Sequence, residues 1–187
     1  MLKLKLTSEN LRYLLWRDGI KQEDWGKHLA DWAKCSEARA EDLLNGKTLQ
    51  SEEQRRIAER AKVREEQIQN ERFLGDHVDV LQQNILFLTD KTVTGFAAIV
   101  IANKINVSPG TISRWRKNKQ APEDTQLLKL CLFYGFPPTI NLRDDAIFLS
   151  MSPIGDLKRR AWLQERIKQI DAETLNALYP ALEKLLK

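Results

Sequence analysis

The sequence predicts an all-α protein made of two small five-helix domains and a C-terminal amphipathic helical hairpin. Helical spacing of apolar residues runs through most of the 187 residues, and only eight glycines interrupt it. Part of the pattern also recurs 72 positions later: Ser36 matches Ser108, Ala40 matches Ile112, and Leu43 matches Trp115. Upstream of these pairs, Leu29 matches Ile105 if the first copy carries four additional residues in its turn. The repeat therefore predicts two domains of one plan.

The first domain is expected at residues 1–74. Alternating "LKLKL" at its start suits a short strand or an arm. Helices are expected at residues 8–18, 22–29, 37–44, 51–62 and 63–74, with Gly19 and Asn45-Gly46 as stops. Ser36 is a predicted N-cap, and Ser51 with Gln54 has the spacing of a capping box. Trp25 and Trp32 are interpreted as core residues, because a small domain needs large apolar side chains.

The second domain is expected at residues 75–152. Its helices are predicted in "DVLQQNILFL", "GFAAIVIANKI", Ser108–Lys117, "EDTQLLKLCLFYG" and "LRDDAIFLSM". Residues 153–187 form the tail, with two amphipathic helices split at Asp171, which is expected to cap the second one. The tail has more Leu and Ile than a hairpin buries alone. It is expected either to form a dimer or to fold back on the second domain.

The helix that starts at Ser108 has an unusual charge pattern. Residues 106–122 contain four cations and no acid, although the net charge of the chain is only +4. Ser108 is a predicted N-cap, with Pro109 in the first turn and Asn118 as the stop. Ile112 and Trp115 fall on the inward side. The outward side combines small and basic residues: Gly110, Ser113, Arg114 and Lys117. Such a face fits the DNA major groove, where arginine can bind guanine, and the alternative is an ordinary solvated basic face.

The stretch "IVIANKINVSPGTISRWRKNKQAPE" resembles the helix-turn-helix of the phage-repressor-like (XRE-type) DNA-binding family. The matching residues are Ala102, Ile105, Asn106, Val107, Ser108, Ile112, Ser113, Arg114 and Pro122. The resemblance implies two repressor-like helix-turn-helix domains. It implies DNA contacts by nine residues: Ser108, Pro109, Gly110, Thr111, Ser113, Arg114, Arg116, Lys117 and Lys119. Where the family often has a phosphate-binding Gln this chain has Ala98, and Thr94 or Lys91 could substitute.

The first copy, "GIKQEDWGKHLADWAKCSEARAEDLLNGK", resembles the same family less closely. Gln22 is matched to the family's phosphate-binding Gln. The outward face of its third helix is acidic, because Glu41 replaces Ser113 and Asp42 replaces Arg114. Carboxylates repel phosphates, so this face is interpreted as a protein-contact surface. The alternative is weak DNA contact through the lysines Lys21, Lys27 and Lys47.

Other functions find little support in the sequence. Cys35, Cys131, His28 and His77 lack the spacing of metal ligands, and no set of catalytic residues emerges. No enzyme, cofactor, metal or membrane segment is expected, and the location is expected to be cytoplasmic. The leading hypothesis is a sequence-specific transcriptional regulator that binds double-stranded DNA as a homodimer. The alternatives are an adaptor or antitoxin-like protein and an intrachain pseudo-dimer on one DNA.

Overall fold

The computed structural model describes residues 6–137, 139–151 and 156–186, and within these ranges it is all-α, with no strand. This confirms the predicted class. The predicted strand or arm in "LKLKL" falls mainly on residues 2–5, which lie outside the described ranges. The twelve α-helices of the described residues are α1 (Leu6–Arg17), α2 (Trp25–Ala33), α3 (Glu37–Leu44), α4 (Ser51–Ala61), α5 (Glu65–Asn70), α6 (Val80–Leu88), α7 (Lys91–Thr94), α8 (Ala98–Ile105), α9 (Pro109–Arg116), α10 (Asp124–Phe133), α11 (Asp156–Gln169) and α12 (Ala172–Leu186).

The helices form two compact units. The first unit is Met1–Leu81 with Arg143–Met151, and the second is Gln82–Leu142 with Ser152–Lys187. The sequence placed the first boundary at residue 74 and assigned "LRDDAIFLSM" to the second domain. In the structure the chain instead leaves the first unit at Leu81 and returns to it at Arg143.

Residues Arg143–Met151, here called the returning segment, complete the core of the first unit. Its 3₁₀ helix, Ile147–Leu149, is buried at all three side chains. The ring centroids of Phe148 and Trp16 are 4.9 Å apart. Gln22 Nε2 donates to the backbone carbonyls of Phe148 and Ser150, each at 2.9 Å. Apolar burial and side-chain hydrogen bonds together explain why this segment belongs to the first unit.

Buried polar side chains connect the rest of the first unit. The guanidinium of Arg12 donates to the carbonyl of Leu44, at the end of α3, and to that of Leu149. Burial lowers the pKa of Arg12 to about 10, so the group stays charged at neutral pH. Trp25 and Trp32 are buried in the core, as predicted.

The repeat is more regular than the sequence suggested, and the predicted four-residue insertion is wrong. Helix α2 continues to Ala33, and its C-cap Lys34 has a left-handed φ of 54°; Asn106 after α8 has φ 61°. The N–H of Cys35 bonds Ala30, and the N–H of Val107 bonds Ala102. The offset of 72 therefore extends through the turn, and Ala33 matches Ile105. In this register Gly26, not Gln22, occupies the position of Ala98.

Two smaller predictions also need correction. Helix α4 has Gln50 as its N-cap, and Glu53 Oε2 accepts from the Gln50 N–H at 2.9 Å, so the capping box is one residue earlier than Ser51 and Gln54. Gln22 lies in a 3₁₀ turn, Gln22–Asp24, before α2 begins. The N-cap of α3 by Ser36 is confirmed, since its hydroxyl accepts from the Arg39 N–H at 3.2 Å.

The second unit packs α8 against both α9 and α10. Its aromatic residues cluster near the end of α10, where the ring centroids of Phe96 and Phe133 are 5.0 Å apart. Tyr134 donates to the carbonyl of Leu88, and Asn84 donates to that of Leu142 at 2.8 Å. The last bond holds α6 beside the point where the chain leaves the unit.

The tail of the second unit is helical, as predicted. The two helices α11 and α12 are separated at Ile170 and Asp171. Asp171 accepts from the backbone N–H of Thr174 at 2.8 Å and from its hydroxyl at 2.9 Å, which confirms the predicted cap.

Candidate nucleic-acid interface

Helix α9 is fixed at both ends by local hydrogen bonds. The Ser108 hydroxyl accepts from the Thr111 N–H at 3.1 Å, and Pro109 occupies the first turn, where no backbone donor is needed. Asn118 follows the helix with a left-handed φ of 52°. Gln82 Nε2 donates to the Arg116 carbonyl at 2.9 Å and thereby ties the end of α9 to α6. These caps confirm the start and stop signals in the sequence.

Burial of two side chains determines which face of α9 points outward. Ile112 and Trp115 are 0% and 1% exposed, as expected for the inward side. Eight of the nine predicted contact residues are exposed: Ser108, Pro109, Gly110, Ser113, Arg114, Arg116, Lys117 and Lys119. Thr111 is the exception, since only 8% of it is exposed. The predicted face therefore forms one continuous exposed surface with Thr111 beneath it.

Thr111 and Gln120 hold the side chain of Arg114 in place. Arg114 Nη2 donates to Thr111 Oγ1 at 3.1 Å, and Nε donates to Gln120 Oε1 at 2.8 Å. Thr111 Oγ1 is also 2.9 Å from Ser108 Oγ. The guanidinium is thus ordered before any partner arrives, which lowers the entropic cost of binding. Gln120 was not predicted, because its position after the helix has no periodic relation to Arg114.

The four cations of this surface have no ion-pair partner in the part of the chain that the structure describes. Within the described ranges, no carboxylate lies within ion-pair distance of Arg114, Arg116, Lys117 or Lys119. Lysine and arginine on most protein surfaces are interspersed with acids. An exposed basic surface without acids attracts polyanions and especially rows of phosphates.

Helix α3 in the first unit corresponds to α9 in the repeat, but it presents a different surface. Glu37, Ala38, Glu41 and Asn45 are exposed, and Asp42 is half-buried. The cations nearby are already paired: Arg39 forms two hydrogen bonds with Glu53, at 2.8 and 2.9 Å, and Lys47 pairs with Asp42 at 2.7 Å.

The pairing of Arg39 with Glu53 has an electrostatic consequence. Hydrogen bonds from Arg39 hold the pKa of Glu53 below its usual value, so the carboxylate stays charged. Arg39 also donates to the Thr48 carbonyl at 2.8 Å, which fixes its guanidinium against the loop before α4. This arginine is therefore engaged within the unit, and α3 presents mainly acids.

The suggested substitutes for a phosphate-binding Gln differ in accessibility. Thr94 is fully buried, and its hydroxyl donates to the Asp90 carbonyl at 3.0 Å, so it cannot reach a ligand. Lys91, at the start of the short helix α7, is exposed. Gln22, matched to this role in the first copy, is engaged with the returning segment. Only Lys91 keeps the accessibility that the role requires.

Metal-binding clusters and membrane-spanning helices are absent from the described ranges. These ranges contain no cluster of three or more His, Cys, Asp or Glu side chains that could hold a metal ion. No helix in this part of the chain is both long enough and apolar enough to cross a membrane. Cys35 and Cys131 do not form a disulfide.

No protein-family model, curated protein or solved structure matches this chain. The surfaces of α9 and α3 are therefore the evidence that bears on function.

Proposed function

We propose that the second unit is a helix-turn-helix domain that binds double-stranded DNA, and that the protein is a sequence-specific transcriptional regulator. The observation that carries this proposal is the exposed surface at α9, where four cations have no carboxylate partner among the described residues. In a helix-turn-helix the second helix lies in the major groove, and its N-terminal residues contact base edges. Here α8 and α9 are those two helices.

Each exposed residue on or next to α9 has a role in this proposal. Ser113 and Arg114 read bases, since an arginine can bind guanine through two hydrogen bonds. The other cations, Arg116, Lys117 and Lys119, bind phosphates and cause most of the salt dependence. At the N-terminal end, Ser108, Pro109 and Gly110 are small enough for the backbone to approach DNA closely. Thr111 holds Arg114 from below.

The test is a fluorescence-anisotropy titration of random-sequence duplex DNA at two salt concentrations. The double variant Arg114→Ala/Lys117→Ala should bind about 10 to 100 times more weakly than wild type and with a smaller salt dependence. Lys21→Ala/Lys27→Ala is the matched control, because it removes the same charge from the first unit. Equal weakening by both variants would mean that α9 is not the DNA-binding surface.

Gly110→Ala separates DNA binding from stability. A Cβ at Gly110 would lie 3.6 Å from Ser108 Oγ and 3.9 Å from Arg114 Nη1, which are ordinary contacts. Because alanine favours helix, the second unit should become more stable by about 0.5–1 kcal/mol. The added methyl group should nevertheless weaken DNA binding, since it stands on the surface that faces the groove. Thermal unfolding and DNA titration of one preparation would measure both effects. An unchanged affinity for DNA would mean that DNA binds to another surface of the protein.

A second role follows for the first unit. Its α3 presents acids, and its nearest cations are paired with carboxylates, so a protein partner suits this surface better than DNA. The protein would then be an adaptor or antitoxin-like protein with secondary DNA contact. A stoichiometric protein partner together with no DNA affinity near physiological salt would favour this role.

We also propose that the regulator is a homodimer joined through its tail. Helix-turn-helix proteins commonly place two recognition helices about 34 Å apart on one side of the DNA. The tail helices expose apolar side chains that a second chain could cover.

A further inference from the structure

The exposed large apolar residues of the described chain are confined to one unit. Nine such side chains are exposed, and all nine lie in the second unit: Ile99, Val100, Leu128, Leu132, Leu163, Ile167, Leu178, Tyr179 and Leu182. Single exposed apolar residues are normal, but groups of them on neighbouring turns mark protein interfaces. The second unit therefore carries apolar surface in excess of what its own fold covers.

Four of these side chains form one group, which we call the α8–α10 patch. Ile99 and Val100 lie on α8, and Leu128 and Leu132 lie one turn apart on α10. The two helices pack against each other, and their exposed apolar residues are grouped here as one candidate docking surface. Helix α8 carries Lys104 and no acid, and α10 carries Lys129 and Asp124. The charge of the two helices together is thus +1.

Three further side chains form the α12 stripe: Leu178, Tyr179 and Leu182. They follow half-buried Leu175 at intervals of three, four and seven residues, so all four lie on one face of the helix. Helix α12 contains Glu173, Glu183 and Lys184, which gives it a charge of −1. Peptide helices that bind in apolar grooves use this spacing of anchor residues.

We infer that the α12 stripe of one copy docks on the α8–α10 patch of a second copy, and that the exchange is reciprocal. The helices that carry the stripe and the patch have opposite net charges, −1 for α12 and +1 for α8 with α10. Helix α11 is a poorer occupant, because it carries five cations and two acids and the helices of the patch also have a positive net charge. In one chain both surfaces stay open, with Leu132 64% and Tyr179 60% exposed. A twofold pair of identical contacts covers both surfaces in each copy and forms a closed dimer.

The test is the mass in solution of the full-length protein without DNA, measured by sedimentation equilibrium. Wild type should be a dimer. Leu132→Glu and Leu128→Glu in the patch, and Leu178→Glu in the stripe, should each convert it to a monomer with unchanged helical circular dichroism. The control is Asn70→Glu, an exposed residue of α5 in the first unit and therefore outside both surfaces, which should leave the dimer intact.

Mixing experiments distinguish this contact from other ways of pairing. A patch variant keeps an intact stripe and a stripe variant keeps an intact patch, so Leu132→Glu mixed with Leu178→Glu should recover part of the dimer. A monomeric wild type would overturn the inference. A dimer that persists in both patch variants would also overturn the inference, and it would indicate pairing between the tails. Failure of the mixed variants to form any dimer would overturn it as well. None of these outcomes depends on whether α9 binds DNA.

Discussion

Replacing Phe148 with alanine should lower the free energy of unfolding of the first unit by about 3–5 kcal/mol, the usual cost of removing a buried aromatic side chain. Only 3% of Phe148 is exposed, and its ring packs on Trp16. The second unit should keep its stability, because the returning segment belongs to the other core. A loss of this size is a large part of the stability of a small domain.

Hydrogen exchange read peptide by peptide would locate the effect. In the Phe148→Ala variant, protection should fall in α1 to α5 and persist in α6 to α10. Phe136→Ala is the matched control, since Phe136 is buried in the aromatic cluster of the second unit and should give the reverse pattern. Loss of protection in α6 to α10 alone would show that residues 75–152 fold as one domain, as the sequence suggested.

Most signals that act over a few residues were predicted correctly from the sequence, although the capping box before α4 and both ends of α2 were not. Ser36, Ser108 and Asp171 are N-caps in the structure, and Asn118 adopts the left-handed conformation predicted for it. Each depends on hydrogen bonds or backbone preferences within one turn. The inward positions of α9 follow from helical periodicity, and so they were predicted as well.

Two features could not be predicted from the sequence. The apolar run Ile147–Leu149 predicts burial, but it does not show in which of the two cores these residues are buried. Only the contacts with Trp16 and Gln22 show that they belong to the first unit. The end of α2 was misplaced because its left-handed C-cap is Lys34, a residue that rarely signals a stop. That error moved the alignment of the two copies by four residues.

In the candidate site, too, local features were predictable from the sequence and contacts between distant residues were not. Helical periodicity identified the exposed residues of α9, but it could not show that Thr111 lies beneath them and holds Arg114. The acidity of α3 was evident from composition. The engagement of Arg39 was not, because its partner Glu53 lies on another helix that the fold brings close.

Asn10 is a buried polar residue that sequence patterns did not single out, and its replacement should have the second large effect. It is fully buried in α1, where Nδ2 donates to the carbonyls of Ile68 at 2.9 Å and Glu71 at 2.6 Å. Its Oδ1 accepts from the Phe73 N–H at 3.0 Å. One amide thus satisfies three backbone groups at the end of α5. Asn10→Ala should cost about 2–4 kcal/mol, because it leaves these groups without a partner.

Asn10→Asp tests whether the two donated bonds are what matters. The aspartate keeps an acceptor for Phe73 but places a buried carboxylate against two carbonyl oxygens, so at pH 7 it should cost more than alanine, about 4–5 kcal/mol. Burial beside these oxygens should raise the folded-state pKa of the new carboxyl above its unfolded value of about 3.9. Its destabilisation is then complete above the folded-state pKa and shrinks as pH falls through it.

Urea unfolding of the two variants at pH 7 and pH 5 would show this difference. The aspartate variant should gain stability relative to the alanine variant at the lower pH, since a protonated carboxyl can donate to one of the two carbonyls. The alanine variant has no new titratable group and serves as the control at each pH. An aspartate variant as stable as wild type at pH 7 would mean that the amide donors contribute little, and that α1 and α5 are held together by apolar packing alone.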